Sequence, residues 1–92
     1  MDSIKFKKEI LNQIRRYLKG EITKEEYYDI SEPFYSEYAD CCNDERFKRK
    51  FLDNVADACI IYIDEPGLTA EIKEKEFYKV LNEAYKELEK LK

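Results

Sequence analysis

The stretch FKRKFLDNVADACIIYIDEPG, residues 47–67, carries apolar side chains at steps of three and four residues and stops at Pro66-Gly67. This spacing places the apolar side chains on one face of an α-helix, and Pro-Gly ends a helix. Asn43 is its predicted cap. The predicted stripe of this third helix is Phe47, Phe51, Leu52, Val55, Cys59, Tyr62 and Ile63.

The same spacing predicts two helices before this stretch and one after it. The first begins at Ser3 and ends at Gly20, and the second begins at the capping box of Thr23 and Glu26. The fourth begins at Thr69. The predicted apolar positions are Ile4, Ile10, Leu11, Ile14 and Leu18 in the first helix, Tyr27, Ile30, Phe34 and Tyr38 in the second, and Ile72, Phe77, Val80, Leu81, Ala84, Leu88 and Leu91 in the fourth.

Pro33 lies inside the second predicted helix, where proline removes a backbone donor. This helix is therefore expected to be kinked or split at Pro33, with Ser31 as the cap of a new helix if it splits. The alternation typical of strands is absent from the sequence. Residues 1–92 are therefore expected to form a single all-α domain, a compact antiparallel four-helix bundle.

Charge is distributed unevenly along the chain, although its net value is only −4. Residues 1–20 hold six cations and two acids, whereas residues 21–45 hold nine acids and a single cation. A basic block at 46–50 follows, and residues 53–72 contain five acids without a cation. Charged runs are usually solvated helix faces, but two strongly anionic windows in a lysine-rich chain also favour a cationic partner.

A helical wheel centred on Val55 places Asp53, Asp57 and Asp64 on the side away from the core. Ile60 falls between these acids and Ile61 beside it. An apolar anchor surrounded by acids favours an interface with a cationic protein. The alternative is an exposed apolar residue of the ordinary kind, or one covered by a loop. The predicted binding residues are Asp53, Asp57, Ile60, Ile61, Asp64, Glu65 and Glu71.

The residue types needed for catalysis are scarce. The chain has no histidine, its two glycines are isolated, and Cys41, Cys42 and Cys59 form no Cys-x-x-Cys pair. We therefore expect free thiols, with Cys59 in the core, and no catalytic residues, metal site or cofactor. The absence of a long apolar run and of a signal segment predicts a cytoplasmic protein that contacts no membrane.

Two segments resemble the colicin D-type immunity proteins and related bacterial self-protection proteins. YLKGEITKEEYYD, residues 17–29, is similar to that family's F-x-x-G-x-I-[ST]-x-x-E-F pattern, with Tyr27 in place of the second phenylalanine. The chain from Phe51 to the end, which contains VADACIIYIDEPGLTAEI at residues 55–72, resembles its third helix, acidic turn and last helix. The resemblance covers roughly residues 10–91, but residues 31–45 match nothing in the pattern.

This resemblance implies a bacterial immunity protein that neutralises a cationic nuclease toxin, often one that cuts tRNA, by covering its substrate-binding surface. Asp57 would match the acid of the third helix, and Asp64 and Glu65 the acids of the turn. One alternative is a helical adaptor or antitoxin that binds another protein through residues 21–45. Another is a small regulator that binds nucleic acid through the first helix and residues 46–50; direct nucleic-acid binding is not the favoured prediction, because the chain is acidic overall.

Overall fold

Four helices form the frame of the computed structural model, which describes residues 1–64 and 66–92 apart from the side chain of Asp64. Helix α1 spans Ser3–Leu18, and α2 spans Lys24–Tyr38 before a short 3-10 turn, Ala39–Cys41. Helix α4 spans Ala70–Lys90. Helix α3 is one rod built from three consecutive segments, α-helical Glu45–Lys50, π-helical Phe51–Ala56 and α-helical Asp57–Asp64.

These helices pack into a bundle, so the predicted all-α, four-helix fold is confirmed, and the described residues contain no strand. Helix α1 contacts α2 and α4, and α3 packs along α4. The radius of gyration is 12.7 Å. Within residues 1–64 and 66–92, no helix has both the length and the apolar character needed to cross a lipid bilayer.

Three of the five predicted helix caps follow the sequence signals, and α3 ends at Asp64, two residues before Pro66. Gly20 ends α1 with φ at 77°, and its N–H donates to the carbonyl of Tyr17 in a Schellman arrangement. Thr23 and Glu26 form the predicted capping box at the start of α2. Thr69 caps α4 by accepting the backbone N–H of Ile72 at 3.2 Å.

The other two predicted caps are wrong by one residue. Asp2, not Ser3, accepts a backbone N–H at the start of α1, and Asp44, not Asn43, does so at the start of α3. A carboxylate satisfies the free N–H groups and also places negative charge at the positive end of the helix. The other two residues bond to each other, because the backbone N–H of Asn43 donates to Ser3 Oγ at 2.9 Å.

Helix α2 continues through Pro33 as a single helix, so the predicted alternative of a split is wrong. Ser31 stays inside the helix, 3 % exposed, instead of capping a new one. Proline provides no N–H for the carbonyl of Asp29, four residues earlier. Tertiary packing holds both sides of the gap, since Tyr27 is fully buried and the Phe34 ring stacks on Phe6 at 5.6 Å.

Aromatic rings from all four helices form the centre of the core. Phe77 of α4 has its ring centroid 5.1 Å from Tyr17 of α1 and 6.2 Å from Tyr27 of α2. Tyr35 of α2 stacks on Phe51 of α3 at 5.0 Å. The most deeply buried apolar side chains include Phe6, Ile10, Ile14, Tyr27, Phe47, Val55, Phe77, Leu81 and Leu88.

Ile4 and Ile72 were predicted in the apolar stripes of α1 and α4, but both are exposed. At 100° per residue, Ile4 lies about 120° around α1 from the buried Ile10. Ile72 similarly lies about 140° around α4 from the buried Phe77. The spacing places both residues beside the apolar stripe, but the partner helices cover only its centre.

Leu52 is the third incorrect core prediction, with 44 % of its surface exposed. The π-helical segment explains this, because the N–H of Asp57 reaches the carbonyl of Leu52, five residues earlier. A π turn contains more residues than an α turn and so rotates less per residue. Three steps back from the buried Val55 therefore leave Leu52 further from the core than a regular α-helix would.

Candidate protein-binding face on the third helix

The outward side of α3 carries exposed acids next to exposed apolar side chains. Asp53 and Asp57 are both exposed, and Ile60 and Ile61 are 67 % and 43 % exposed. We call these four residues the acidic face. The wheel placed all four away from the core, and the structure confirms that placement.

The helix that holds the acidic face is fixed to the bundle on its other side. Val55 is fully buried and Cys59 is 4 % exposed. The side-chain amide of Asn54, in the π-helical segment, donates to the carbonyl of Lys50 just before that segment at 2.9 Å. The carboxylates therefore stand on a rigid element, so little ordering entropy is lost when a partner binds them.

Among the described residues, no cation forms an ion pair with the acids of this face. Ion pairs in the described part of the chain join Lys7 to Asp44, Lys24 to Glu25 and Glu74, Lys48 to Glu45, and Lys90 to Glu87. None of them includes Asp53 or Asp57. Their charge is therefore available to a cationic partner, where desolvation would strengthen the attraction.

Of the other predicted binding residues, Glu71 is the one whose side chain the structure describes. Glu71 is exposed on the first turn of α4, in a shallow cleft with Tyr17, Glu74, Lys75 and Tyr78, none of which belongs to α3. The side chain of Asp64 and the whole of Glu65 lie outside the described residues. Tyr62 is half-buried against the core.

A groove between α2 and α3 was missed by sequence reasoning. It encloses a cavity of about 240 Å³ and shares Ile60 with the acidic face. Its one sequence signal is Tyr28, an aromatic residue directly beside the core residue Tyr27. We call it the α2–α3 groove; it is lined by Tyr28, Ser31, Glu32, Tyr35 and Ser36 from α2 and by Phe51, Leu52, Ala56, Cys59 and Ile60 from α3.

Cys59 lies at the inner side of this groove, packed in the core as predicted. Burial raises the pKa of its thiol to about 12, so the sulfur stays protonated at neutral pH. A protonated thiol is a poor nucleophile. Its contribution here is apolar packing.

No protein-family model, curated protein or solved structure matches the chain. The similarity to colicin D-type immunity proteins therefore stays a prediction, which rests on residues 17–29 and 55–72.

Proposed function

We propose that this protein is an immunity protein that binds a cationic nuclease domain and blocks its substrate-binding surface with the acidic face of α3. The observation that carries the proposal is the pair Asp53 and Asp57, exposed beside Ile60 and engaged in none of the described ion pairs. The resemblance of residues 17–29 and 55–72 to immunity proteins supports the choice of a nuclease partner, with RNA, and tRNA in particular, as its substrate. It also supports a bacterial cytoplasmic setting.

Inhibition would follow from electrostatics and shape. A nuclease that binds RNA needs lysine and arginine side chains directed at phosphates, and their combined field attracts any polyanion. Carboxylates spaced along a helix would occupy positions that phosphates otherwise take. Asp53 and Asp57 would mainly accelerate association, whereas Ile60, once desolvated, would lengthen the lifetime of the complex.

The test uses the domain encoded at the end of the gene immediately upstream. Its RNA cleavage is measured with and without this protein, and we expect complete inhibition at one equivalent. Asp57→Lys should raise the Kd at least about 30-fold, because it sets two like charges against each other at the interface. Glu89→Lys is the matched control: it changes net charge equally at an exposed position of α4 and should bind normally.

A second pair of variants tests the apolar anchor. Ile60 and Ile4 are each 67 % exposed, so Ile60→Asp and Ile4→Asp should both fold with nearly unchanged Tm. Only Ile60→Asp should weaken inhibition. The proposal is wrong if the upstream gene encodes no nuclease domain, if the wild-type protein leaves that nuclease active, or if Asp57→Lys binds as tightly as the wild type.

A further inference from the structure

We infer that the α2–α3 groove receives a cationic amphipathic helix of the protein partner. The inference rests on the proposed function in one respect: the groove and the acidic face share Ile60, so one partner would contact both. It adds a second contact of defined chemistry to that complex.

The dimensions of the groove fit apolar side chains of a helix. Its lining on α2 runs from Tyr28 to Ser36, which is about 12 Å, or a little over two helical turns. The cavity of about 240 Å³ is smaller than the roughly 300–1,000 Å³ of most small-molecule sites. A helix laid in a groove instead inserts single side chains at positions i, i+4 and i+7.

The walls of the groove are mostly apolar, and three of their large side chains are exposed. The stacked rings of Tyr35 and Phe51, 5.0 Å apart, belong to its lining. Along its rims, Tyr28 is 39 % exposed, Leu52 44 % and Ile60 67 %. Exposed apolar residues that line one groove mark a binding surface more strongly than the same residues scattered singly.

The π-helical segment is an independent observation that points to the same groove. Residues 51–56 form this segment, and three of the five groove residues on α3 lie within it. The π turn directs Leu52 outward, where it lines the groove instead of filling the core. π-helical segments often occur at functional sites, and here the irregular backbone creates the apolar wall.

Charge identifies the occupant. Around the end of the groove formed by Tyr28 and Ile60, α2 carries Asp29 and Glu32, and α3 carries Asp57. Residues 53–64 contain no cation. Glu32 belongs to the lining of the groove, and Asp29 and Asp57 are exposed next to lining residues in the sequence. Lysine or arginine beside the apolar anchors of a partner helix would therefore meet one carboxylate in the groove and others beside it on both helices.

Cations of the protein itself lie near the opposite end of the groove, before Phe51. Lys48 and Arg49 occupy that part of α3, and Lys48 pairs with Glu45 at 3.1 Å. The cationic end of the bound helix should thus lie at Tyr28 and Ile60. A second copy cannot supply its α1 as this helix, because the apolar face of α1 is buried in its own bundle.

The test is titration of the whole protein with a synthetic helical peptide of about 14 residues, with leucines at positions i, i+4 and i+7 and lysines elsewhere. Two peptides serve as controls, one with glutamate in place of lysine and one with the leucine positions scrambled. We expect the first peptide to bind at least about tenfold more tightly than either control.

Two protein variants locate the site. Leu52→Glu should weaken binding of the lysine peptide about tenfold or more, because it replaces an apolar contact with a carboxylate that the leucines of the bound peptide would desolvate. Ile72→Glu is the matched control, since Ile72 is 45 % exposed and lies on α4 outside the groove. It should bind the peptide normally. Both variants should keep the wild-type Tm.

Each contrary result has a defined meaning. Equal binding of all three peptides, or unchanged peptide binding by Leu52→Glu, would overturn the inference. A wild-type dimer that dissociates in Leu52→Glu would also overturn it, because a second copy of the protein would then fill the groove. Nuclease inhibition without peptide binding would refute the groove alone. Peptide binding without inhibition of the upstream nuclease would refute the proposed function and leave the groove standing.

Discussion

Asp44 illustrates how much one side chain contributes to positioning α3. It accepts the backbone N–H of Phe47 as the helix cap, and it accepts a hydrogen bond from Lys7 Nζ of α1 at 2.6 Å. The hydrogen bond from Lys7 lowers the pKa of the Asp44 carboxyl below its ordinary value of 3.8, and the backbone N–H of Phe47 lowers it further. The residue therefore joins the start of α3 to α1.

Asp44→Ala should lower the free energy of unfolding by about 0.5–2 kcal/mol, the usual range for loss of a cap, whereas Asp44→Asn keeps the cap and loses only the charge. Because the folded-state pKa is lowered, the advantage of wild type over Asp44→Asn should be complete above pH 3.8. It should disappear as the pH falls through the folded-state pKa. Urea unfolding at pH 7 and pH 2–3 measures this, and a constant advantage down to pH 2 would contradict it.

At the scale of single elements, helix ends and periods could be predicted, but backbone irregularity could not. Gly20, Thr23 and Thr69 act through contacts within a few residues, so local sequence defines them. Phe47, Phe51, Val55 and Cys59 recur every four residues, which fits a regular α-helix equally well. No local signal distinguishes the π-helical segment at 51–56, so the exposure of Leu52 and the groove it lines appear only in the structure.

Pro33 provides the element-scale prediction, because α2 keeps it at a cost in helix stability. Pro33→Ala would restore the hydrogen bond to the Asp29 carbonyl, a gain of about 3 kcal/mol for an interior proline. Alanine also gives the unfolded chain more conformational entropy than proline does, and this would offset roughly 0.4–1 kcal/mol of the gain. We expect a net gain of about 2 kcal/mol in the free energy of unfolding, measured with urea.

Glu37→Ala, an exposed change in the same helix, controls for helix propensity and should shift stability by only a few tenths of a kcal/mol. A loss of stability in Pro33→Ala would show that the course of α2 around the proline is required for the stack of Phe34 on Phe6.

For the whole molecule, sequence runs located the charge correctly, and the fold decided which charges remain available. Residues 21–45 and 53–72 are both rich in acids, yet Asp44 is used in an ion pair with Lys7, 37 positions away along the chain. Asp53 and Asp57 have no such partner among the described residues. Ion pairs between distant segments depend on how the helices pack. The spacing of residues along the chain therefore predicts whether an acid is exposed more reliably than it predicts which cation pairs with that acid.

Because the bundle is small, its aromatic centre should account for a large part of its free energy of unfolding. A 92-residue chain has a total free energy of unfolding of about 5–14 kcal/mol, and truncation of a buried phenylalanine removes about 3–5 kcal/mol. Phe77 is fully buried and touches rings from α1 and α2. Phe77→Ala should therefore lower the Tm by at least about 12 °C.

Tyr78→Ala is the matched control for Phe77→Ala, because Tyr78 is the next residue in α4 and is 46 % exposed. It should remove about 1 kcal/mol or less, the usual range for a residue outside the core. Thermal unfolding followed by circular dichroism compares the two, and equal losses would show that the ring cluster is not the main source of stability. If the difference is as large as expected, the bundle has too little free energy of unfolding to give up core side chains for binding. Its binding surface must then consist of side chains outside the core, such as Ile60 and Leu52.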